Sequence, residues 1–438
     1  MKQEINYKKI YFFVFLFCYT LVIWRIVQVP LYDWDQGRNF IHGDGNSDRN
    51  VHSTAMFYKD FGIVEGSCLL PVFRYTGDGD TCASATNLGD SYFYTHYPAL
   101  PDILGATYGY ILDTKSDQWI RIFPVLLSVV FFFFIIKFCK HFIEDNSAAF
   151  YSTLIILLSN YFIAWADNLH KHLYEELIKW VFIYLLYDYY QKGKPKKNLI
   201  WMIVLYIVVS NISFEPILYL AVVSIGFCWI YERKILNWET VALGAASVFG
   251  VGIHLYQNYL FFGHSWQAVA DDMLGSLSER TMGVDGNLKS DRGKVALTEY
   301  LEIPFLWFNR LERVYLIPGW AILVFAVLTM KKYYQENRKF YYACLTIFIA
   351  TISWSLLMSQ HFLVHLFTAR HWGIWVALMS GVGIVQYLKI VKADFAGTRW
   401  YMKTLHVVFI GYIMVMVLSQ QVFDLYLKNG FLYPIFGR

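Results

Sequence analysis

The chain has few charged residues and no composition typical of a linker. Asp, Glu, Lys and Arg make up only 16% of its 438 residues, against about 25% in a typical soluble domain. Gly/Ser-rich and Pro-rich stretches that join separate domains are missing, and six cysteines are too few for a disulfide-dense secreted scaffold. These shortages exclude an ordinary soluble domain, a disordered chain and a collagen-like repeat.

Hydrophobic residues take the place of the missing charges. They form 57% of the chain, and aromatic residues alone form 19%. A soluble domain cannot bury that much apolar surface, so the sequence indicates a protein embedded in the lipid bilayer. The net charge of +4 is small, and Lys and Arg lie in short clusters between apolar segments, so we expect no nucleic-acid partner.

About eleven apolar segments have the roughly 17–25 residues that a helix needs to cross a membrane. They lie near residues 10–29, 119–138, 148–165, 174–191, 198–213, 214–231, 240–262, 313–330, 340–358, 371–388 and 404–422. The first has a basic flank and no small-residue cleavage site, which indicates an uncleaved helix with a cytoplasmic amino end. We therefore predict an all-α polytopic membrane protein, with residues 1–438 forming a single transmembrane domain.

Two long loops fall on the outer side of this topology, at residues 30–118 and 262–313. Loops rich in Lys and Arg usually lie on the cytoplasmic side of a membrane. With the amino end inside, the basic clusters, such as the one at residues 192–197, all fall on that side. The stretch PALPDILGATYGYIL is then a juxtamembrane helix, because counting it as a span would invert every later loop. Large outer loops with juxtamembrane helices predict a functional site on the outer face.

The first outer loop carries a group of acidic residues directly after the first span. They are Asp33, Asp35, Asp44 and Asp48. Each one taken alone is most simply a solvated loop charge. Asp48, however, precedes a helix-forming stretch in which His52 lies one turn further on the same side, so both can act on one ligand. A carboxylate at a membrane surface can serve as general base for an acceptor hydroxyl.

Three further features accompany this acidic position: a following helix that ends in Gly, a His-x-Pro turn at His96, and Arg121 at the start of the next span. Together they resemble the GT-C superfamily of polytopic glycosyltransferases. Within it, the chain is similar to the enzymes that use polyprenyl-phosphate sugars, such as protein O-mannosyltransferases and aminoarabinose lipid A transferases. The resemblance implies a GT-C-like bundle with Asp48 as catalytic base, and with Asp35 second because it lies closer to the span.

The chain departs from the family pattern at two places. Asp48 is followed by Arg49 where the family often has Asp-Glu, and the later turn has Pro98-Ala99-Leu100-Pro101 in place of Pro-Pro. The resemblance is carried by the first outer loop, and over the rest of the chain it rests mainly on topology.

Cationic and hydrogen-bonding side chains in the outer segments are candidates for holding a lipid-linked donor. A guanidinium group matches phosphate oxygens, although interfacial Arg and Lys also commonly extend toward lipid headgroups without a further role. The predicted substrate-binding residues are His96, Tyr97, Arg121, His170, His254, Gln257, Asp272, Arg280, His361, His365 and Arg370.

One cysteine pair and one histidine pair have spacings that could indicate a disulfide and a metal site. Cys68 and Cys82 share the first outer loop and are expected to form a disulfide in an oxidising compartment, with two free thiols as the alternative. His361 and His365 have the spacing of a helical metal pair, but this pattern occurs often by chance. The enzymes that the chain resembles need no metal, so we expect no cofactor, with a divalent metal as the less favoured alternative.

The resemblance thus predicts a hexosyl- or pentosyltransferase of the cell envelope, with its site on the periplasmic face of a bacterial inner membrane. It would move a sugar with inversion from a polyprenyl-phosphate donor to a hydroxyl of a glycan, lipid or protein acceptor. One alternative is a transporter or flippase of a lipid-linked saccharide, although the spans are almost free of central charges and no internal repeat is evident. Another is an O-antigen ligase or polymerase, which would rely on a loop Arg/His pair without an essential Asp.

Overall fold

The protein is described by a computed structural model that covers residues 6–28, 45–63, 69–73, 85–88, 91–96, 98–281, 297–359, 362, 366–397 and 400–418. Helices dominate these residues. In chain order they are α1 (Tyr7–Gln28), α2 (Gly45–Phe61), α3 (Leu100–Ile111), α4 (Asp117–Ile120), α5 (Ile122–Phe142), α6 (Asn146–Leu157), α7 (Asn160–Ile163), α8 (Lys171–Gln191), α9 (Lys196–Ser210), α10 (Glu215–Glu232), α11 (Trp238–Phe261), α12 (Trp266–Thr281), α13 (Leu297–Tyr315), α14 (Gly319–Glu336), α15 (Arg338–Leu357), a 3-10 helix (Leu366–Trp372), α16 (Gly373–Ala396) and α17 (Trp400–Leu418).

Six helical segments in the described residues are long and apolar enough to cross a membrane. They are Tyr7–Val27, Asp117–Phe142, Glu215–Glu232, Trp238–Phe261, Arg338–Leu357 and Thr368–Ala396. A seventh would be the pair Leu301–Tyr315 and Gly319–Glu336, which bends by 95° at its break. The chain is an integral, multi-pass membrane protein, but the predicted count of about eleven spans is wrong.

Breaks, charges and short length account for the missing spans. The segment 148–165 is interrupted between α6 and α7, and the segment 313–330 contains the α13–α14 bend. Helix α8 carries five charged residues within the segment predicted as 174–191 or just before it. Helix α9 has only 15 residues, and α17, within 404–422, is counted among the shorter apolar helices. Hydropathy alone detects none of these breaks, because apolar residues continue across them.

The predicted orientation can be tested by labelling single cysteines from outside the cell. The described cysteines (Cys18, Cys139, Cys228 and Cys344) are all buried, so only Cys68 and Cys82 need replacement to give a silent background. We expect an impermeant thiol reagent to label Asp113→Cys, whose side chain is 90% exposed, and not Lys196→Cys. The opposite pattern in intact cells would invert the topology.

The first outer loop contains a small β-sheet in addition to helices, so the all-α prediction is incomplete. Strands β1 (Val72–Phe73), β2 (Ala85–Leu88) and β3 (Ser91–Tyr94) form an antiparallel sheet in the order β1-β3-β2, with Val72 opposite Phe93 and Thr86 opposite Phe93 on the other side. Three consecutive aromatic residues in SYFY suit a strand, because aromatic side chains are enriched in β-strands.

Helices α2 and α3 pack with this sheet around a hydrophobic core separate from that of the helix bundle. It comprises Val51, Ala55, Phe57, Tyr58, Val72, Phe93, Ala106, Ile120 and Leu169. The predicted α2 helix is therefore present, and its apolar face packs into this core. Helix α3 has 12 residues and lies within the stretch that the sequence indicates to be a helix rather than a span. The core fixes α2, and with it Asp48, against the residues that precede α8.

Close backbone packing holds the main helix bundle together. Gly381 on α16 faces Ala148 on α6, where any Cβ would collide with the Ala148 carbonyl oxygen. The backbone N–H of Gly381 donates to Ser152 Oγ at 3.1 Å. A small residue at position 381 is required, because only glycine lets the two helices approach this closely.

Candidate active site

Asp48 lies in the first turn of α2 and is completely buried. Its Oδ1 accepts hydrogen bonds from Asn168 Nδ2 at 2.7 Å and from the backbone N–H of His170 at 2.9 Å. Both donors belong to residues 164–170, the segment that connects α7 to α8. Two donors to one oxygen hold this carboxylate in a fixed position, as a general base requires.

The same connecting segment also binds two arginines. Arg121 Nε and Nη2 donate to Asp167 Oδ2 at 3.1 and 2.5 Å, and Arg25 on α1 forms an ion pair with Asp167 Oδ1. Arg25 Nη2 also donates to the carbonyl oxygen of Ile163 at 2.9 Å. All three side chains are buried, so each charge depends on its partners. Asp167 thereby joins α1, the start of α5 and the α7–α8 connection directly behind Asp48.

A second buried carboxyl, Asp102 on α3, lies beside His170. Its Oδ2 is 3.7 Å from His170 Nδ1, and neither carboxyl oxygen has a hydrogen-bond partner among the described residues. The hydroxyls of Tyr58 and Tyr174 close by are likewise buried without a described hydrogen-bond partner. Burial raises the pKa of Asp102 well above its ordinary value. Asp102 therefore keeps its proton to a higher pH than an ordinary aspartate does.

Replacing this carboxyl by its neutral isostere should stabilise the protein in a pH-dependent way. The folded state holds the Asp102 proton to a higher pH than the unfolded chain, whose pKa is about 3.9. The free energy of unfolding of the wild type therefore falls as pH rises from about 4 to the native pKa. We expect Asp102→Asn to unfold at a higher temperature than wild type, with a larger difference at pH 8 than at pH 5. An equal difference at both values would contradict the raised pKa.

Buried charges continue along one face of α8. Lys179 Nζ lies 2.6 Å from Glu176 Oε1 and donates to His371 Nδ1 at 3.0 Å. His371 Nε2 in turn donates to Glu215 Oε2 at 3.2 Å, and Glu215 forms an ion pair with Lys171. The charged α8 residues of this network lie in the first three turns of the helix, toward one end of the segment predicted as 174–191 and not at its centre. Each charge in this network has an opposite charge or a hydrogen bond.

Arg370, at the end of this network, is bound differently. Its guanidinium stacks on Trp165, 4.4 Å from the ring centroid, and lies 5.5 Å from that of Tyr161. The residue is only 3% exposed, and its Nε and Nη1 have no hydrogen-bond partner among the described residues. Since buried guanidinium donors are costly to leave unsatisfied, this geometry is suited to an anionic ligand.

A third polar cluster joins the first outer loop to α11 and α12. His96 Nε2 donates to Asp272 Oδ1 at 2.8 Å. His254 Nε2 and Asn258 Nδ2 both donate to the carbonyl oxygen of Thr95, at 3.0 and 2.9 Å. The structure thus brings His96, His254 and Asp272 together.

Other predicted residues lie apart from these clusters or outside the described residues. His52 Nε2 donates to the carbonyl oxygen of Lys115 at 2.7 Å, whereas Asp48 contacts the α7–α8 connection. Gln257 is half-buried on α11, and for Arg280 only the helical backbone is described. The predictions for Asp33, Asp35, Asp44, Tyr97, His361, His365 and the Cys68–Cys82 disulfide lie outside the described residues.

Several residues of the site were not predicted from the sequence. They are Arg25, Asp102, Asp167, Asn168, Glu176, Lys179 and Glu215. Arg25 and Lys179 had a usable signal, because a charge inside an apolar segment is expensive and is usually functional or paired. In the part of the chain that is described, no three His, Cys, Asp or Glu side chains are placed to hold a metal ion.

No family model and no curated protein matches the sequence. The fold, however, is similar to that of the oligosaccharyltransferase of Archaeoglobus fulgidus in its apo form, with a TM-score of 0.53, 11% identity, and coverage of 96% of this chain and 56% of that one. The same archaeal enzyme, AglB, in complex with an inhibitory peptide and a dolichol-phosphate gives a TM-score of 0.53 and 12% identity, over 97% and 56% of the two chains. This chain shares the polytopic membrane fold of these archaeal structures.

The similarity confirms the predicted fold at this coarse level. The chain spans a little over half the length of the archaeal structures that it matches. A closer relationship to the protein O-mannosyltransferases or the aminoarabinose transferases stays a prediction.

Proposed function

We propose that the protein is a membrane glycosyltransferase that uses a polyprenyl-phosphate sugar. The observation that carries this proposal is the buried Arg370 guanidinium, whose Nε and Nη1 have no hydrogen-bond partner among the described residues. A phosphate oxygen would satisfy both donors in a geometry that suits the planar guanidinium group. The GT-C-like fold supports the same class of donor, because one of the similar archaeal structures contains a dolichol-phosphate.

In the proposed reaction, Asp48 accepts the proton of an acceptor hydroxyl as that oxygen attacks the anomeric carbon of the donor. A bond forms between the acceptor oxygen and the anomeric carbon, and the bond from that carbon to the phosphate oxygen breaks with inversion. The electron pair of the broken bond leaves with the phosphate, and Arg370 stabilises the added negative charge. Asn168 and the His170 N–H hold the carboxylate in position throughout.

The remaining parts of the proposal come from the sequence. The acceptor is a hydroxyl of a glycan, lipid or protein, and the site faces the outside of the cytoplasmic membrane. His96, His254 and Asp272 form the cluster proposed to bind sugar hydroxyls. Asp48 needs no metal in this mechanism, because a carboxylate can remove the proton of a hydroxyl directly.

The proposal is tested by incubating the purified protein with radiolabelled polyprenyl-phosphate sugars. A membrane extract supplies the acceptor, and transfer moves the label from the organic-soluble lipid fraction into that acceptor. Without the extract, slow hydrolysis of the donor would release the labelled sugar into the aqueous phase. We expect label to leave the lipid in the presence of a membrane extract from the source cell. Complete retention with every donor and extract would contradict a transferase.

The buried ion network of α8 favours a second candidate function, movement of a lipid-linked saccharide across the membrane. Transporters often place paired ionisable residues within their helical bundle, as Lys179, Glu176, His371 and Glu215 are placed here. In sealed proteoliposomes a flippase would expose inner-leaflet donor to an outside probe without removing label from the lipid. Transfer and flipping are therefore distinguished by the fate of one labelled donor.

A further inference from the structure

A cavity of about 440 Å³ lies at the end of the helix bundle opposite Asp48 and Arg370. It is formed where α5 ends, where α6 begins, and where α14, α15 and α16 come together. Helix α5 starts directly after Arg121 beside the candidate active site and runs for 21 residues to Phe142 at the cavity. At 1.5 Å per residue the two sites are roughly 30 Å apart, on opposite sides of a bilayer-sized layer.

Four aromatic side chains, Phe142, Tyr187, Tyr333 and Phe340, line one part of an otherwise largely polar cavity. The Phe142 and Tyr187 ring centroids are 4.7 Å apart, as are those of Tyr333 and Phe340, and Phe142 lies 6.1 Å from Phe340. Such a group of rings offers negative π faces that attract an organic cation. An inorganic anion would gain nothing from this part of the wall.

Charges of both signs lie around these rings. Glu144, Asp145 and Glu336 supply carboxylates, and Lys332 and Lys389 supply ammonium groups. Lys332 bonds to Glu336 at 2.7 Å, and Asp145 Oδ1 caps α6 by accepting from the N–H groups of Ser147 and Ala148. The two remaining charges, Glu144 and Lys389, are exposed and of opposite sign.

We propose that this cavity binds the zwitterionic headgroup of an aminophospholipid such as phosphatidylethanolamine. The ammonium group would lie against the aromatic wall near Glu144, and the phosphate would bond to Lys389. Leu388 and Ile390, which flank Lys389, are 44% and 40% exposed and offer an apolar surface for the acyl chains. The site is distinct from the proposed donor site, because it lies at the other end of the bundle and has charges of both signs.

The test measures lipid binding to the full-length protein in detergent, by native mass spectrometry and by the thermal unfolding midpoint. We expect phosphatidylethanolamine to bind and to raise the midpoint more than phosphatidylglycerol at the same mole fraction. Soluble phosphoethanolamine should bind at least tenfold more weakly than the lipid. The double variant Glu144→Gln/Lys389→Gln should lose about tenfold in affinity for phosphatidylethanolamine, while Lys197→Gln, an exposed lysine outside the cavity, should not change it.

Each other outcome overturns the proposal. Equal binding of phosphatidylglycerol would indicate an anionic lipid, and equal binding of soluble phosphoethanolamine would indicate a free metabolite-sized ligand. Unchanged affinity in the double variant would remove the cavity from the interaction. Because both substituted side chains are exposed, the variant should keep the wild-type unfolding midpoint without lipid, which separates loss of binding from loss of folding. The readout is independent of glycosyl transfer.

Discussion

Asp48→Asn is expected to lower the rate of sugar transfer by about 10²–10⁴-fold while leaving the fold and donor binding intact. The amide oxygen of Asn can still accept hydrogen bonds from Asn168 and from the His170 N–H, so the local geometry is kept. It cannot take up the proton of the acceptor hydroxyl. The measurement is transfer of label from the lipid donor, alongside donor binding and thermal unfolding of the same preparation.

Asp102→Asn is the matched control for this experiment. Both aspartates are fully buried, both contact His170, and both substitutions replace a carboxyl by an amide. Because burial raises the pKa of Asp102 and favours its neutral form, its amide variant should keep transfer close to that of wild type. Equal losses in the two variants would show a shared structural effect instead of a proton transfer at Asp48.

If Asp48 is not the catalytic base, variants of the other acidic residues in the first outer loop show which residue takes that role. If Asp35→Asn abolishes transfer while Asp48→Asn is active, the base is Asp35 and the enzyme class survives. If neither of these nor Asp33→Asn or Asp44→Asn affects transfer, the carboxylate mechanism is lost. The transporter or the ligase would then be the better proposal.

Arg370→Ala should raise the apparent KM for the lipid donor by about 10–100-fold, since a hydrogen bond between charged groups contributes about 1.5–3 kcal/mol. The guanidinium has two buried donors without a described hydrogen-bond partner, and Glu176, the nearby carboxylate on which its charge also acts, keeps its ion pair with Lys179 when Arg370 is removed. The thermal unfolding midpoint should therefore change less than donor use does. A wild-type affinity for donor in this variant would exclude Arg370 as a phosphate ligand.

Arg310→Ala is the control, because this substitution should lower stability, whereas Arg370→Ala should mainly weaken donor binding. Arg310 is also buried, but its guanidinium donates to the carbonyl oxygen of Phe362 and to Thr368 Oγ1, the latter at 3.1 Å. Its loss removes both of these buried hydrogen bonds, so the unfolding midpoint should fall clearly. Comparing the two variants separates a cation that binds ligand from a cation that supports the bundle.

The membrane class could be predicted because composition and hydropathy act over the whole chain, whereas the expected glycosyltransferase fold came from the resemblance carried by the first outer loop. The number of spans could not, because a break depends on a few residues. At the α13–α14 bend, Leu316 has a positive φ of 58° and Pro318 precedes the first turn of α14, while the surrounding residues stay apolar. A hydropathy average over the segment 313–330 passes through this bend without a change.

The candidate site was predictable only where its signal is local. Asp48 stands in the first turn of an α-helix that the helix-forming stretch after it indicates. Its partners Asn168 and His170 lie about 120 residues further along the chain, and no local pattern connects them to it. Asp102 could not be recognised either, because its importance comes from complete burial beside His170.

The donor from position 170 to Asp48 is a main-chain N–H, and this has a consequence for any survey by mutation. Every residue type except proline supplies that donor, so His170→Ala leaves it in place, and an alanine scan would score the position only for its imidazole ring. Because almost every residue type has a backbone N–H, a comparison of sequences cannot show that this donor is needed. His170→Pro removes it and leaves the Asn168 contact as the other described hydrogen bond to Asp48, so proline rather than alanine reveals what the chain itself contributes at this position.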